Sequence, residues 1–553
     1  MFSLMIKLLK RWQRRMHNNA WQREPPPAPS PDLKADSQPS AKDQLNDKLS
    51  TSLTRNITML AKTLGNANDV KARRFSFGLD YSLHGALFYI DGLADETTLR
   101  DGVLTPLMSR DFAAKGRIGM PGILSFLKTT SICSSDIIQV GDRKAVSDAV
   151  LSGDAAFMLD GSDHALIISS KGWEKRSISE PQTASVVRGP RDGFTETLRT
   201  NTMLIRRRLK THNLRMESIT LGKQTKTDVC IVYIKDIVRP ELLNIVRKRL
   251  KAVNIDAIPE SSYIEQIIED DPFSIFPTIG ATERPDTVAA KILEGRIAII
   301  VDGSPFVLTV PYLYMEAFQD PADYYNRPYY ASLIRIVRYF AFYIAIMGPA
   351  LFVALTTFHP EMIPTTLLLT ILKLRETTPF PSYIEALILV ISFEIIREAG
   401  LRLPKPIGQT ISIVGALIMG EAAVSAGIVG TTTVIIVAIT IVSTFIIPDF
   451  NDPIGILRLV MLSIASAMGI YGILLAFFAL QVHLSSLNTF GIPYLSGIAP
   501  PHPQYAKDLF VRMPLWLMRT RPDLLVGKNV VRSQTKKPPP AATFERSEEE
   551  SEE

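Results

Sequence analysis

The run IVRYFAFYIAIMGPALFVALTTF (Ile336–Phe358) decides the class of this chain. It is apolar throughout except for Arg338, and it follows more than 300 residues of ordinary charged sequence. Two further runs match it, GIVGTTTVIIVAITIVSTFII (Gly427–Ile447) and LVMLSIASAMGIYGILLAFFALQV (Leu459–Val482). At about 20 residues each, such segments can cross about 30 Å of hydrocarbon as helices. A fourth run, Ile407–Ala426, is of similar length and carries one acid, Glu421. From Ile336 to Val482 there are 15 charged side chains, about a tenth of the residues, against about a quarter elsewhere. The chain therefore acts at a bilayer, in contact with membrane lipid, and carries a large soluble domain.

The remaining composition narrows the field. With 553 residues there is room for two or three domains. The net charge of +6 is small and dispersed, which argues against nucleic acid and fits a basic cytoplasmic face. The two cysteines, Cys133 and Cys230, lie in apolar or mixed runs and read as inert thiols. At the start, Leu4, Met5, Leu8, Leu9 and Trp12 fit one face of a short basic helix. Lys7 and Lys10 interrupt any signal-peptide core there. Residues 1–49 read as this arm plus the Pro-rich linker Pro25–Lys42, and 536–553 as a disordered acidic tail.

The soluble half repeats itself. AVLSGDAAFMLDGSDHALIIS (Ala149–Ser169) and AKILEGRIAIIVDGSPFVLTV (Ala290–Val310) align Gly153 with Gly295, Asp160 with Asp302 and Gly161 with Gly303. In each, a helix ends at Gly, a strand follows, and a turn opens on Asp-Gly before a second strand. Upstream, LFYID (Leu87–Asp91) has its counterpart in IVYIK (Ile231–Lys235). The expected fold is thus an α/β soluble N-terminal domain of two duplicated subdomains, 50–181 and 182–316. A connector (317–335), an α-helical polytopic membrane domain (336–482) and a cytoplasmic C-terminal segment (483–535) follow. The Arg-rich helix within Gly193–Thr211 offers either a solvated face or a contact for acidic lipid or a partner subunit.

No phosphate loop, HExxH, paired CxxC or GxSxG is present, so the sequence points to no enzyme and asks for no metal or cofactor. Ser162, Asp163 and His164 are chain neighbours and cannot form a relay. Lys and Arg placement puts the soluble domain and the C-terminal segment on the cytoplasmic side and the acidic loop Pro448–Pro453 outside. Both ends on one side require an even number of crossings, four or six. The difference rests on Ile363–Leu374 and Tyr383–Ile396, which at 12 to 14 residues read as re-entrant or interfacial helices. Glu394, Arg397, Glu398 and Arg402 sit at helical spacing and can neutralise one another, as a structural cluster or a charged vestibule. Glu421 stands nearly alone among small residues. An ionisable group there marks a functional site by default, with Gln409, Thr410, Ser412 and Ser425 as a possible polar stripe.

PFPSYIEALILVISFEIIREAGLRLPKPIGQTISIVGALIMGEAAVSAGIVG (Pro379–Gly430) resembles the A-subunit family of bacterial spore germination receptors, the GerA type. So do Val186–Leu209, Glu294–Pro311 and Phe318–Tyr339, and the resemblance spans about Arg74 to Arg519. It departs at Leu389–Val390, where family members often carry an acid. The resemblance implies a subunit of a nutrient-sensing complex in the spore inner membrane. Its partners would be a transporter-like B subunit and a lipoprotein C subunit. It further implies a homo-oligomer, a pentamer, acting as a nutrient-gated ion channel; the isolated Glu421, read from its own span, would then stand on or near a cation path. A non-conducting scaffold or relay subunit is the alternative; a secondary transporter would show inverted repeats within the membrane half, and none is visible.

Overall fold

The computed structural model describes residues 48–78, 81–108, 124, 127, 136–170, 172, 181, 186, 188–376, 378–402, 420–499, 507–527 and 529–533. The N-terminal arm and linker up to 47, the tail beyond 533, Cys133, Gln409, Thr410 and Ser412 lie outside these residues.

The first α/β copy runs α1 (Leu53–Thr63), β1 (Val70–Phe77), β2 (Leu83–Ile90), β3 (Ile137–Val140), α2 (Arg143–Leu151), β4 (Ala155–Leu159) and β5 (Ala165–Ile168). The second runs α3 (Leu198–Arg208), β6 (Leu214–Leu221), β7 (Thr227–Ile234), α4 (Pro240–Ala252), α5 (Ser261–Ile268), β8 (Gly280–Thr282), α6 (Pro285–Leu293), β9 (Ile297–Val301) and β10 (Val307–Val310). The two five-stranded antiparallel sheets have the same order, β1-β2-β4-β5-β3 and β6-β7-β9-β10-β8. Apart from the outer helices, every element of the first copy recurs in the second at an offset of 142–145 residues.

The duplication extends to side-chain hydrogen bonds. Asp160 accepts from the first helical N–H of α1 at Leu53 (2.9 Å), and Asp302 does the same for α3 at Leu198 (2.9 Å). Asn56 and Asn201 each reach back to both backbone groups of a residue six earlier, Ser50 and Thr195. The Asp-Gly turns therefore hold the helix that opens each copy. Their glycines, Gly161 and Gly303, sit at φ 86° and 87°, where a side chain would be strained.

One core joins the copies. It contains Phe88, Ile90 and Met158 from the first sheet, Val232, Ile234 and Ile300 from the second, and Leu60, Val150, Leu204 and Ile292 from helices between them. Each such fully buried side chain contributes about 1.5–3 kcal/mol. The outer faces are covered by the helical turns of residues 96–108 in the first copy and by α4 and α5 in the second. The Arg-rich helix is more than a solvated face, because its last-turn arginines pair within the domain. Arg206 is buried against Asp69 of the first copy, and Arg207 and Arg208 share Asp192.

The C-terminal half is helical: α7 (Pro328–Thr357), α8 (Thr365–Arg375), α9 (Ser382–Arg402), α10 (Thr431–Thr444) and α11 (Asn451–Ser486). Here four expectations change. The first apolar helix starts at Pro328, eight residues before Ile336, because Pro at the first helical position and Arg335 bound to Asp323 and Asp508 anchor it in the soluble half. The segment expected as a short helix over Tyr383–Ile396 belongs to the 21-residue α9, which continues through its charges because they pair along the helix.

The run Leu459–Val482, expected as one continuous span, belongs to two helical arms. Gly469 has φ 59° and ψ −145°, which no helix contains. Phe450, just before α11, and His483, near its end, both contact the Phe276 ring. A straight helix of 36 residues, about 54 Å long, could not do this. The helix therefore reverses at Gly469 into a hairpin whose arms, Asn451–Met468 and Ile470–Ser486, are each about 26 Å long. Its tip lies against Phe358 and His359 at the end of α7.

The loop Pro448–Pro453 was expected on the far side from the soluble domain and instead lies against it. Asp449 accepts from the Tyr312 hydroxyl at 2.6 Å, and Phe450 packs on Phe276, Tyr314, Phe318 and Phe342. Acidity misled here, because Asp449 is held by a buried tyrosine rather than by solvent. The same aromatic cluster takes in Tyr494, so soluble domain, α7, both hairpin arms and the C-terminal segment meet at one junction. Residues 507–533 then fold back on the second copy, through a Val238–Val526 bridge and an Arg239 bond to the Leu524 carbonyl.

Candidate functional site

The helical half is organised around a backbone defect. Pro349 lies inside α7 and has no N–H, so the carbonyl four residues earlier, at Ala345, loses its helical donor. Arg458, on the first hairpin arm, donates to that carbonyl from Nε at 3.0 Å. Its Nη2 donates to the Thr444 hydroxyl near the end of α10. That hydroxyl donates in turn to the Thr440 carbonyl (3.2 Å), which turns a lone pair towards the guanidinium. Nη1 lies 3.7 Å from a Glu394 carboxylate oxygen on α9 and makes no hydrogen bond. One side chain, 1 % exposed, thus fastens four helical segments.

Glu394 directs its other oxygen to Arg397 at 2.7 Å, so the expected cluster divides. Glu394 and Arg397 join Arg458 at the bundle centre. Glu398 and Arg402 pair with each other at 2.8 Å and remain largely exposed. Counting from Asn451, Arg458 lies about 10 Å along its arm, well within the apolar layer. Sequence reading missed it, because the apolar run was begun one residue later. The available signal was an arginine flanked by apolar residues on both sides in GILRLVML (Gly455–Leu462).

A second acid was also missed. Glu385, fully buried in the first turn of α9, accepts from the Gly430 N–H (3.0 Å) and the Thr433 hydroxyl (2.8 Å). It satisfies the unpaired donors that open α10 and places a negative charge at that positive helix end. Its other oxygen, Oε1, has no partner among the described residues.

Glu421 and Ser425 are separate from both groups. They lie one helical turn apart in the short stretch 420–425, packed beside the start of α10 through Gly420 and Val434, and both are exposed on the surface of the single chain.

Comparison with known proteins agrees over nearly the whole length. The family described as Bacillus/Clostridium GerA spore germination protein matches residues 58–524. Spore germination protein KA of Bacillus subtilis (strain 168) is 44 % identical over 498 residues, covering 90 % of this chain and 91 % of that protein. Spore germination protein B1 of the same organism is 40 % identical over 477 residues (86 % and 97 %). Spore germination protein GerLA of Bacillus cereus is 39 % identical over 471 residues (84 % and 94 %). Among solved structures, the N-terminal domain of the A subunit of the Bacillus megaterium spore germinant receptor GerK3 is similar, at 35 % identity and a TM-score of 0.39. That match covers 48 % of this chain and 97 % of the other.

Proposed function

The chain belongs to the GerA spore germination protein family, and on that premise we propose that it is the membrane subunit of a nutrient germinant receptor that opens as an oligomeric cation channel. It would sit in the spore inner membrane with both terminal regions on the core side, beside a transporter-like B subunit and a lipoprotein C subunit. The required parity is four or six crossings, and α7, α9, α10 and the two arms of α11 are the candidates among the described residues. The observation that carries the channel reading is the exposure of Glu421 and Ser425 on an edge of the bundle, apart from the exposed Glu398–Arg402 pair, whose charges neutralise each other. In an assembly of identical chains that edge would line a water-filled axis, where an acid attracts cations and is not charged against lipid. Germinant bound to a partner would act through differential affinity for closed and open arrangements.

The test is ion flux from liposomes holding the purified protein, wild type beside Glu421→Gln. Cation flux that the substitution lowers several-fold, with oligomer content unchanged, supports a path along Glu421. No flux from demonstrably folded oligomers, with and without partner subunits, would replace this reading by a non-conducting scaffold or relay.

A further inference from the structure

The returning C-terminal segment and the second α/β copy enclose a cleft of about 80 Å³ beside the foot of α7, enough for about three waters or one tetrahedral oxyanion. Its acids are already matched. Glu316 binds Arg296 (2.8 Å) and Lys291 (3.1 Å), Glu294 binds Arg296 (2.6 Å) and Arg532 (3.2 Å), and Asp508 binds Arg335 (2.9 Å) and the Tyr324 hydroxyl (2.7 Å).

Arg296 and Arg532 are matched by these acids, but two further cations are not. Among the described residues Lys507 pairs with no acid or carbonyl, and Arg521 donates only to the carbonyls of Leu293, Asn529 and Val531 and the Asn529 amide oxygen. Burial and then the nearby Arg532 guanidinium push the Arg521 pKa down, and Glu294, which pairs with Arg532, offsets this only in part. The Ser496 hydroxyl, 4 % exposed, also borders the cleft and has no hydrogen-bond partner among the described residues. Thr520 adds a second hydroxyl at the rim. Unmatched lysine, crowded guanidiniums and an unused buried hydroxyl are the donors that a phosphate group recruits.

We propose that this cleft binds a phosphate group, with Lys507 and Arg521 supplying charge and Ser496 and Thr520 hydrogen bonds. Because the cleft joins the second copy to the C-terminal segment, whose Asp508 binds Arg335 on α7, an occupant would tie the soluble domain to the first membrane helix. The group could arrive as free phosphate or as the phosphodiester of an anionic lipid, and the same donors serve both.

The full-length protein in detergent would be titrated with inorganic phosphate against chloride at equal ionic strength, following the thermal midpoint. In parallel it would be melted in vesicles of phosphatidylcholine with and without phosphatidylglycerol. A ligand that binds only the folded state raises the midpoint. Stabilisation by phosphate in detergent identifies a free-anion site, and stabilisation only by phosphatidylglycerol identifies a lipid site. Either result supports the proposal if Lys507→Gln, which removes no contact seen in the structure, weakens the effect about tenfold or more. If that variant melts below the wild type without ligand, Thr520→Val takes its place and should weaken binding a few-fold. No shift with either probe, or equal shifts in wild type and variant, overturns the proposal.

Discussion

Two arginines, Arg206 in the soluble half and Arg458 in the helical half, are each 1 % exposed, and they are buried by different means. Arg206 meets Asp69 with two parallel N–H donors, so charge meets charge in a fixed fork. Arg458 meets neutral acceptors, the Ala345 carbonyl and the Thr444 hydroxyl, and its nearest carboxylate stands off at 3.7 Å. The first arrangement locks two α/β copies that have no reason to move apart. The second ties its own arm to α7 and α10, beside α9, through bonds that a shift of α7 or α10 would exchange for others. The soluble seam matches its buried charge fully, and the helical seam matches its own only in part.

The comparison is tested most severely at the first arginine. Arg206→Met should destabilise the full-length protein by about 3–5 kcal/mol, because Asp69 is left buried and unpaired. Converting both partners, Arg206→Met with Asp69→Leu, should recover most of that loss. A double variant as unstable as the single one in thermal melts would show that Arg206 acts through its packing and not through the pair.

These two sites also mark what the sequence discloses. The duplication could be read because its signals are local: an Asp-Gly turn needs those residues at that place, and two copies at one offset repeat the pattern. The Arg206–Asp69 pair could not, since its partners are 137 residues apart and meet only because one copy packs on the other. The apolar runs announced the helical half, but hydropathy is blind to direction. Gly469 reverses a run that composition reads as one crossing, and Asp449 places on the soluble-domain side a loop that charge counting assigned to the other. Arg458 fell just outside the window that defined its own helix. Only the missing N–H of Pro349, read together with a helix more than 100 residues away, explains why an arginine is there.

At the second arginine the expected effects are smaller and differently distributed. Arg458→Met strands the Ala345 carbonyl and the Thr444 hydroxyl and should cost about 2–3 kcal/mol. Glu394→Gln should cost under about 1 kcal/mol, since no hydrogen bond joins that acid to Arg458. Thermal melts in detergent would rank the two. If Glu394→Gln proves as damaging as Arg458→Met, the pair is a closed ion pair after all, and the contrast with Arg206 disappears.

The same distinction, matched against unmatched charge, separates two glutamates around α5. Glu260 accepts from the Ser262 N–H (2.6 Å) and from the Ser261 and Ser304 hydroxyls (2.7 and 2.5 Å), and these donors outweigh burial to hold its carboxyl at about 2. Glu265, one turn on, receives no donor among the described residues; burial first, then Glu269 and Glu260, push it up to about 7. Its folded form holds a proton more tightly than the unfolded chain, whose value is about 4.3. Folding is therefore favoured below pH 4 and loses stability as the pH rises from about 4 to about 7, after which the loss is complete. Glu265→Gln removes that slope and should raise stability at pH 8 by about 3 kcal/mol relative to wild type, with little difference at pH 4. Stability profiles of wild type and variant that run parallel between those limits would mean that Glu265 is solvated in the folded protein and that the acids around it are already screened.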